Sequence, residues 1–286
     1  MMAEPSSIEF LCDLSELPRG PIRHALFDHD GTISTLRRGW EESMEQIMIE
    51  SILGPSAESA NPQTLKQVRD EVLAYIDRST GVQTLTQMQE LARLVRRFGF
   101  VEPSQATDAL GYKRRYKQLL MRRVGRRIEN LQRGSEPGEY RVRGALEFLQ
   151  DLHARGVRLY LSSGTDRDDV VNEAKLLGYA DLFDGGIFGA SDEVTRESKE
   201  LLLEKLMNEL RIDPAELVFF GDGPIEIGLC RRFGGLAVGV ASEETCGGLS
   251  PNKHRRLVGA GAQIIVPDFA EGPTLLDRLP FAGVDQ

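Results

Sequence analysis

Cysteine is scarce in this sequence. Only Cys12, Cys230 and Cys246 occur in 286 residues, an odd number with no CxxC pair. That excludes a disulfide framework and fits reduced thiols in a cytoplasmic setting. Histidine is nearly as sparse, and His24, His153 and His254 share no metal-ligand spacing. Long apolar runs are missing, and none approaches the ~20 residues that cross a membrane. Met1 to Glu16 hold no basic stretch leading into an apolar core, so no secretory signal is expected. Positive charge is in deficit: 35 Lys and Arg stand against 44 Asp and Glu, a net charge of −9. This argues against nucleic acid as a general partner. Internal repeats and low-complexity segments are absent. Gly221-x-Gly223 lacks the further glycine of a dinucleotide fingerprint.

What is present is the composition of a soluble globular protein, 41% hydrophobic and 28% charged. Residues 1–23 are mixed, with an apolar patch at Ile8 to Cys12 expected to pack as a strand or arm on the main domain. The apolar run His24-Ala25-Leu26-Phe27 reads as a buried strand. From Trp40 to about Leu131 apolar residues recur every three or four positions, as in Met44, Ile47, Met48 and Ile52, or Leu85, Met88, Leu91 and Leu94. Gly54-Pro55, Asn61-Pro62, Gly81 and Gly99 punctuate the pattern. The spacing predicts about four helices, the fourth from about Pro103 to Leu131. Between Arg93 and Arg143 there are 14 Lys and Arg but only five Asp and Glu, a basic island in an acidic chain. Beyond the linker Arg133 to Tyr140, strands and helices alternate. Strands are expected at Val157–Leu161, Ile187–Phe188, Leu217–Phe220, Leu236–Val240 and Gln263–Val266. Helices are expected at 144–155, up to Leu177, about Lys199–Leu210, about Ile225–Phe233 and near 249–260. Such alternation implies an α/β fold with a parallel sheet covered on both faces. The predicted division is a core of residues 1–34 and 141–286 with an inserted helical cap, linkers included, at 35–140.

In parallel sheets ligands bind beyond the carboxyl ends of the strands. Three of those ends carry polar clusters: Asp28-His29-Asp30-Gly31-Thr32, Ser162-Ser163-Gly164-Thr165-Asp166, and Gly221-Asp222 followed by Glu226. Asp28 and Asp30, two apart on extended backbone, face the same way, although Asp and Gly also make ordinary turns. By the same alternation His29 should point away from them. Several carboxylates meeting in one crevice repel, and a hard divalent cation such as Mg²⁺ relieves that repulsion. One carboxylate can then serve as nucleophile toward a phosphate, with a lysine offsetting charge. Ser162, with the amides of Ser163 and Gly164, fits the role of holding the phosphoryl group.

The order and spacing of these motifs resemble the haloacid dehalogenase-like superfamily, in its phosphatase branch with a helical cap, as in phosphoglycolate phosphatase-like members. The matching residues are Asp28-His29-Asp30-Gly31-Thr32, Ser162 after an apolar strand, a lysine near a helix start, and Gly221-Asp222 with Glu226. For the lysine, Lys199 is favoured over Lys175, Arg196 and Lys205. The resemblance covers residues 24 to about 270. It implies a Rossmann-like core, Mg²⁺, and hydrolysis of a small phosphorylated metabolite through an aspartyl-phosphate. Asp28 would be nucleophile and metal ligand. Asp30 would be the general acid and base, with its carbonyl on the metal. Asp222 would be a metal ligand, and Glu226 a further one, directly or through water. Arg37 and Arg38, just after the first motif, are expected at the mouth of the site. The basic stretch 113–127 would either neutralise a second anionic group of the substrate or meet solvent and acidic residues of the core. A phosphomutase of the same family and an inactive binding module with a basic cap are the alternatives.

Overall fold

The computed structural model describes residues 7–13, 15, 17, 20–55, 60–190 and 198–281, Ser198 by its backbone alone. Apolar runs form the strands. His24–Asp28 (β2), Arg158–Asp166 (β3), Leu217–Gly221 (β5) and Leu236–Val240 (β6) bury nearly every residue outside their ends. That is the signature of a parallel sheet with both faces covered. With Glu9–Phe10 (β1), Gly186–Ala190 (β4) and Ile264–Val266 (β7) they make a seven-stranded sheet in the order β1-β7-β6-β5-β2-β3-β4. All neighbours run parallel except β1, which pairs antiparallel with β7. The patch at Ile8 to Cys12 thus supplies the edge strand expected of it. The fold is the α/β, Rossmann-like arrangement with cap helices.

After β2 come four helices that form the cap region, Trp40–Leu53 (α1), Pro62–Arg78 (α2), Thr84–Phe98 (α3) and Ala109–Gln132 (α4). Asn61 caps α2 by accepting from the Thr64 amide at 2.8 Å, with Pro62 in the first turn. α4 starts six residues later than its apolar pattern suggests. Asp108 is its N-cap, accepting from the Gly111 amide at 2.7 Å, so Pro103 to Thr107 stay outside the helix. After β3 come Arg167–Leu176 (α6), Ser198–Asn208 (α7), Pro224–Phe233 (α8), Pro251–Gly259 (α9) and Gly272–Arg278 (α10), while Ala145–Ala154 (α5) precedes it. β3 ends five residues later than expected. Its polar end, Ser162 to Asp166, continues the extended chain, with a register irregularity against β4.

β2 lies between β3 and β5, and the chain leaves it first toward β3 and β4, later toward β5, β6 and β7. This reversal opens a crevice at the carboxyl ends of the three central strands. Beneath it the aromatic rings pack closely. Phe27 stacks on Phe220 at 4.6 Å and Phe148 on Phe269 at 4.9 Å, with Phe27 and Phe148 edge to face. The same apolar cluster runs on into α1–α4 through Met44, Met48, Leu91 and Tyr112, so the cap helices share a core with one face of the sheet. The opposite face packs Leu202, Leu203 and Leu206 of α7 and Ile227 of α8 on Leu26 and Phe219.

The aromatic floor yields a stability prediction. Phe148→Ala should lower unfolding free energy by about 3–5 kcal/mol, read as a lower urea midpoint. Leu210→Ala, at an exposed position, should change it by no more than about 0.5 kcal/mol. Equal effects of the two would contradict the packing described.

Candidate active site

β2 ends at Asp28, and the chain then curls. The amides of Ile33 and Ser34 both donate to the His29 carbonyl, at 3.1 and 3.0 Å. Gly31 holds the turn at φ +78°, and a side chain there would run into the Asp222 carboxylate and the Lys253 ammonium. Glycine is required on both grounds. The curl ends the strand alternation at Asp28, which corrects the expectation for His29. Its ring is buried beside Asp30, with Nδ1 3.3 Å from Oδ1 and Nε2 2.8 Å from the Tyr179 hydroxyl.

Asp28, Asp30, Lys199 and Asp222 line one cavity of about 70 Å³, together with Ser163, Gly164 and Thr165 of β3 and Arg37. The cap side of the cavity comes from Trp40, Thr80, Gly81, Val82, Thr84, Gln87, Tyr116 and Leu120. Lys199, in the first turn of α7, donates to Asp28 Oδ1 at 2.5 Å and also to Glu226. Thr32 Oγ1 lies 3.4 Å from the other Asp28 oxygen. Burial pushes the Asp28 carboxyl up to about 8; Lys199 opposes this, and the Glu226 and Asp222 carboxylates add to it. Burial also pushes Asp30 up, but His29, Arg37 and Thr165 outweigh it and hold this carboxyl below its usual range. Burial alone would lower Lys199 and His29, yet facing carboxylates keep both above their ordinary values.

The strand end shifts one assignment. Ser162 pairs in register with Asp28, is fully buried, does not line the cavity, and its hydroxyl has no partner among the described residues. Ser163 and Thr165, two apart on extended chain and so on one side, present the hydroxyls, donating to Asp30 Oδ2 at 3.3 and 3.0 Å. Sequence reading stopped the strand at Leu161 and so missed Thr165. Gly164 lies under the cap loop, where a Cβ would stand 2.8 Å from the Val82 carbonyl. Arg37 lines the cavity but is bound to Glu173 at 2.6 Å and Asp169 at 3.3 Å. Arg38 does not line it; its guanidinium donates to the Glu244 carbonyl at 3.4 Å beside a separate cavity. Arg196 lies outside the described residues.

Asp28, Asp30 and Asp222 offer hard oxygen donors of the type a divalent cation takes. All three border the cavity, and behind Lys199 the buried Glu226 has one carboxylate oxygen, Oε2, with no partner among the described residues. Glu226 itself does not line the cavity. Asp222 is held by Lys253 of α9 at 2.8 Å, and Lys253 also reaches Glu244 at 2.8 Å. Nothing in the sequence marks Lys253, 31 positions beyond Asp222 in another helix. Among the described residues His29, Asp30 and Glu173 bring ligand-type atoms within 4.8 Å of one another. The Arg37 guanidinium already supplies the positive charge there. Lys113 and Lys117 of α4 pair with Asp166 and Asp169, so this part of the basic stretch meets acids of the core. No described helix is long and apolar enough to cross a membrane.

Lys199 carries the charge balance of this cluster. In metal-free protein Lys199→Met strands two buried carboxylates and should cost about 3–5 kcal/mol in urea unfolding. Adding Glu226→Gln should recover part of that loss. A single variant as stable as wild type would contradict the pairing.

A family model for haloacid dehalogenase-like hydrolase matches residues 22–234. No curated protein sequence matches. Among solved structures, a predicted phosphoglycolate phosphatase from Haemophilus somnus superposes with TM-score 0.58 at 17% identity, covering 90% of this chain and 99% of that one. A β-phosphoglucomutase from Clostridium difficile gives TM-score 0.58 at 12% identity over 90% and 96%. A HAD family hydrolase from Deinococcus radiodurans, with bound phosphate and sodium, gives 0.51 at 19% over 92% and 99%.

Proposed function

The chain belongs to the haloacid dehalogenase-like hydrolase family, and we propose that within it the protein is a Mg²⁺-dependent phosphatase of a small phosphate monoester. The observation that carries this reading is the meeting of Asp28, Asp30, Lys199 and Asp222 on one cavity beneath cap residues.

Asp28, at the end of β2, is the nucleophile. Its carboxylate oxygen attacks phosphorus, and the bond from phosphorus to the ester oxygen breaks. Asp30, which His29 and Arg37 hold ionised before substrate enters, first takes up a proton, for which the adjacent His29 Nδ1 is placed. It gives that proton to the leaving oxygen, then takes one from the water that attacks the aspartyl-phosphate and returns it to His29. Inorganic phosphate leaves and Asp28 is restored. The hydrogen bonds from Ser163 and Thr165 keep the Asp30 carboxyl turned into the cavity. Ser163 and the Gly164 amide replace Ser162 as the groups best positioned to hold the phosphoryl oxygens, since Ser162 lies off the cavity. Lys199 offsets the negative charge of nucleophile and phosphate together. Asp28, Asp222 and the Asp30 carbonyl would hold Mg²⁺, with Glu226 behind them. The bound cation supplies positive charge that favours the ionised form of Asp28, which burial disfavours in its absence. Residues 35–140 act as the cap, whose loop at Thr80 to Val82 lies over the cavity and would shield it further on substrate binding. An assembled cavity of this kind also speaks against an inactive binding module.

Purified protein should release phosphate from members of a phosphomonoester panel with Mg²⁺ and stop when the metal is chelated. Asp28→Asn should lower kcat by about 10³-fold or more. Asp30→Asn should lower it by about 10²–10⁴-fold. Full turnover by the Asp28 variant would place the nucleophile elsewhere, and no release from any substrate would defeat the proposal.

A further inference from the structure

Resting on that reading, we propose that the substrate is the phosphate ester of a small uncharged alcohol or polyol, carrying no second anionic group. Three independent features lead there.

The first is size. The chamber is small, about 70 Å³, and partly open, which suits a short ester better than a bulky one.

The second is the charge count around the chamber. Arg37, Lys113 and Lys117 are the cations beside it on its α4 and α6 side. Each is already engaged: Arg37 by Glu173 and Asp169, Lys113 by Asp166 at 2.5 Å, and Lys117 by Asp169 at 2.7 Å. Arg127 of α4 donates to the carbonyls of Leu36 and Arg38 at 2.6 and 2.9 Å. Against Arg37, Lys113 and Lys117 stand Asp30, Asp166, Asp169 and Glu173. The acids there already outnumber these cations. A carboxylate or second phosphate entering here would meet no uncommitted positive charge among the described residues. An unpaired charge among largely buried groups is disfavoured. This applies equally to the carboxylate of a phosphoglycolate and to the second phosphate of a bisphosphate, so it also weighs against the mutase alternative.

The third is the wall that faces Asp28. It is made by Trp40, Val82, Thr84, Gln87, Tyr116 and Leu120. Gln87 spends its amide on Ser79. The Tyr116 hydroxyl has no protein partner among the described residues, and burial pushes its pKa up, so it remains a neutral donor and acceptor. Aromatic and aliphatic faces with uncharged hydroxyls suit carbon and hydroxyl groups of a neutral alcohol.

Trp40 is the only tryptophan in the chain, so its fluorescence reports entry into the chamber. The test uses the Mg²⁺-loaded Asp28→Asn protein, titrated with 2-hydroxyethyl phosphate and glycerol 1-phosphate against phosphoglycolate and 3-phosphoglycerate. The neutral esters should bind about tenfold or more tightly than the carboxylates. Equal or tighter binding of the carboxylates overturns the inference. Asp169→Asn, at a partly exposed position, loosens Arg37 and Lys117 and should shift the preference toward phosphoglycolate. An unchanged preference contradicts the charge count. Phosphate release by wild-type protein, measured in parallel, separates the two claims. Neutral esters that bind but are never hydrolysed remove the phosphatase reading alone. Hydrolysis with a carboxylate preference removes this inference alone. Binding of none of the four contradicts both.

Discussion

A single buried ammonium draws the catalytic edge of this fold together. Lys199 projects from the start of α7 to Asp28 at the end of β2 and to Glu226 in the first turn of α8. All three side chains are almost completely buried. Two carboxylates so placed repel each other and lose their hydration, and neither cost is tolerable without a cation between them. Similar pairings recur on either side: Lys253 between Asp222 and Glu244, and Arg37 among Glu173, Asp169 and Asp30. Buried ion pairs add little net stability compared with apolar packing. Their value here is geometric, because each pins a carboxylate at the carboxyl end of the sheet. The Phe27, Phe148, Phe220 and Phe269 floor beneath supplies apolar stabilisation.

The cap is fitted to this edge by close approaches. At Gly81, φ is +92°, and a side chain would strike the Glu226 carboxylate; the Val82 carbonyl covers Gly164. The loop between α2 and α3 therefore lies directly on the motif residues. Lys113 and Lys117 fasten α4 to the acids at the end of β3 and the start of α6. The charges that make the cap basic are thus partly consumed in seating it, which leaves aromatic and aliphatic groups facing the cavity.

The strands and cap helices were legible because their signals are local. A fully apolar run means a strand buried on two faces, and a three-to-four spacing means a helix with one buried side. Asp28 and Asp30 were legible as a pair, and Asp222 through its Gly-Asp turn at a strand end. What failed depended on tertiary geometry. Polar residues from Ser162 to Asp166 do not look like strand, yet pairing carries β3 through them, so the reading stopped the strand at Leu161 and missed the hydroxyl of Thr165. His29 followed strand alternation on paper, but the curl onto its own carbonyl turned its ring toward Asp30. Arg37 and Arg38 are adjacent in sequence yet part ways. One is enclosed by acids of α6, and the other reaches a different cavity. Lys253 carries no local mark, since its role arises only where α9 meets the Gly31 turn.

The central claim is that the Asp28 carboxylate forms the covalent bond to phosphorus. Turnover of a hydrolysed monoester can be quenched in acid, the protein reduced with borohydride, and its peptides mapped by mass. An aspartyl-phosphate is reduced to homoserine under these conditions, so homoserine should appear at position 28 and at no other aspartate. Phosphate release with position 28 unmodified, or homoserine at Asp30 or Asp222 instead, would contradict the account.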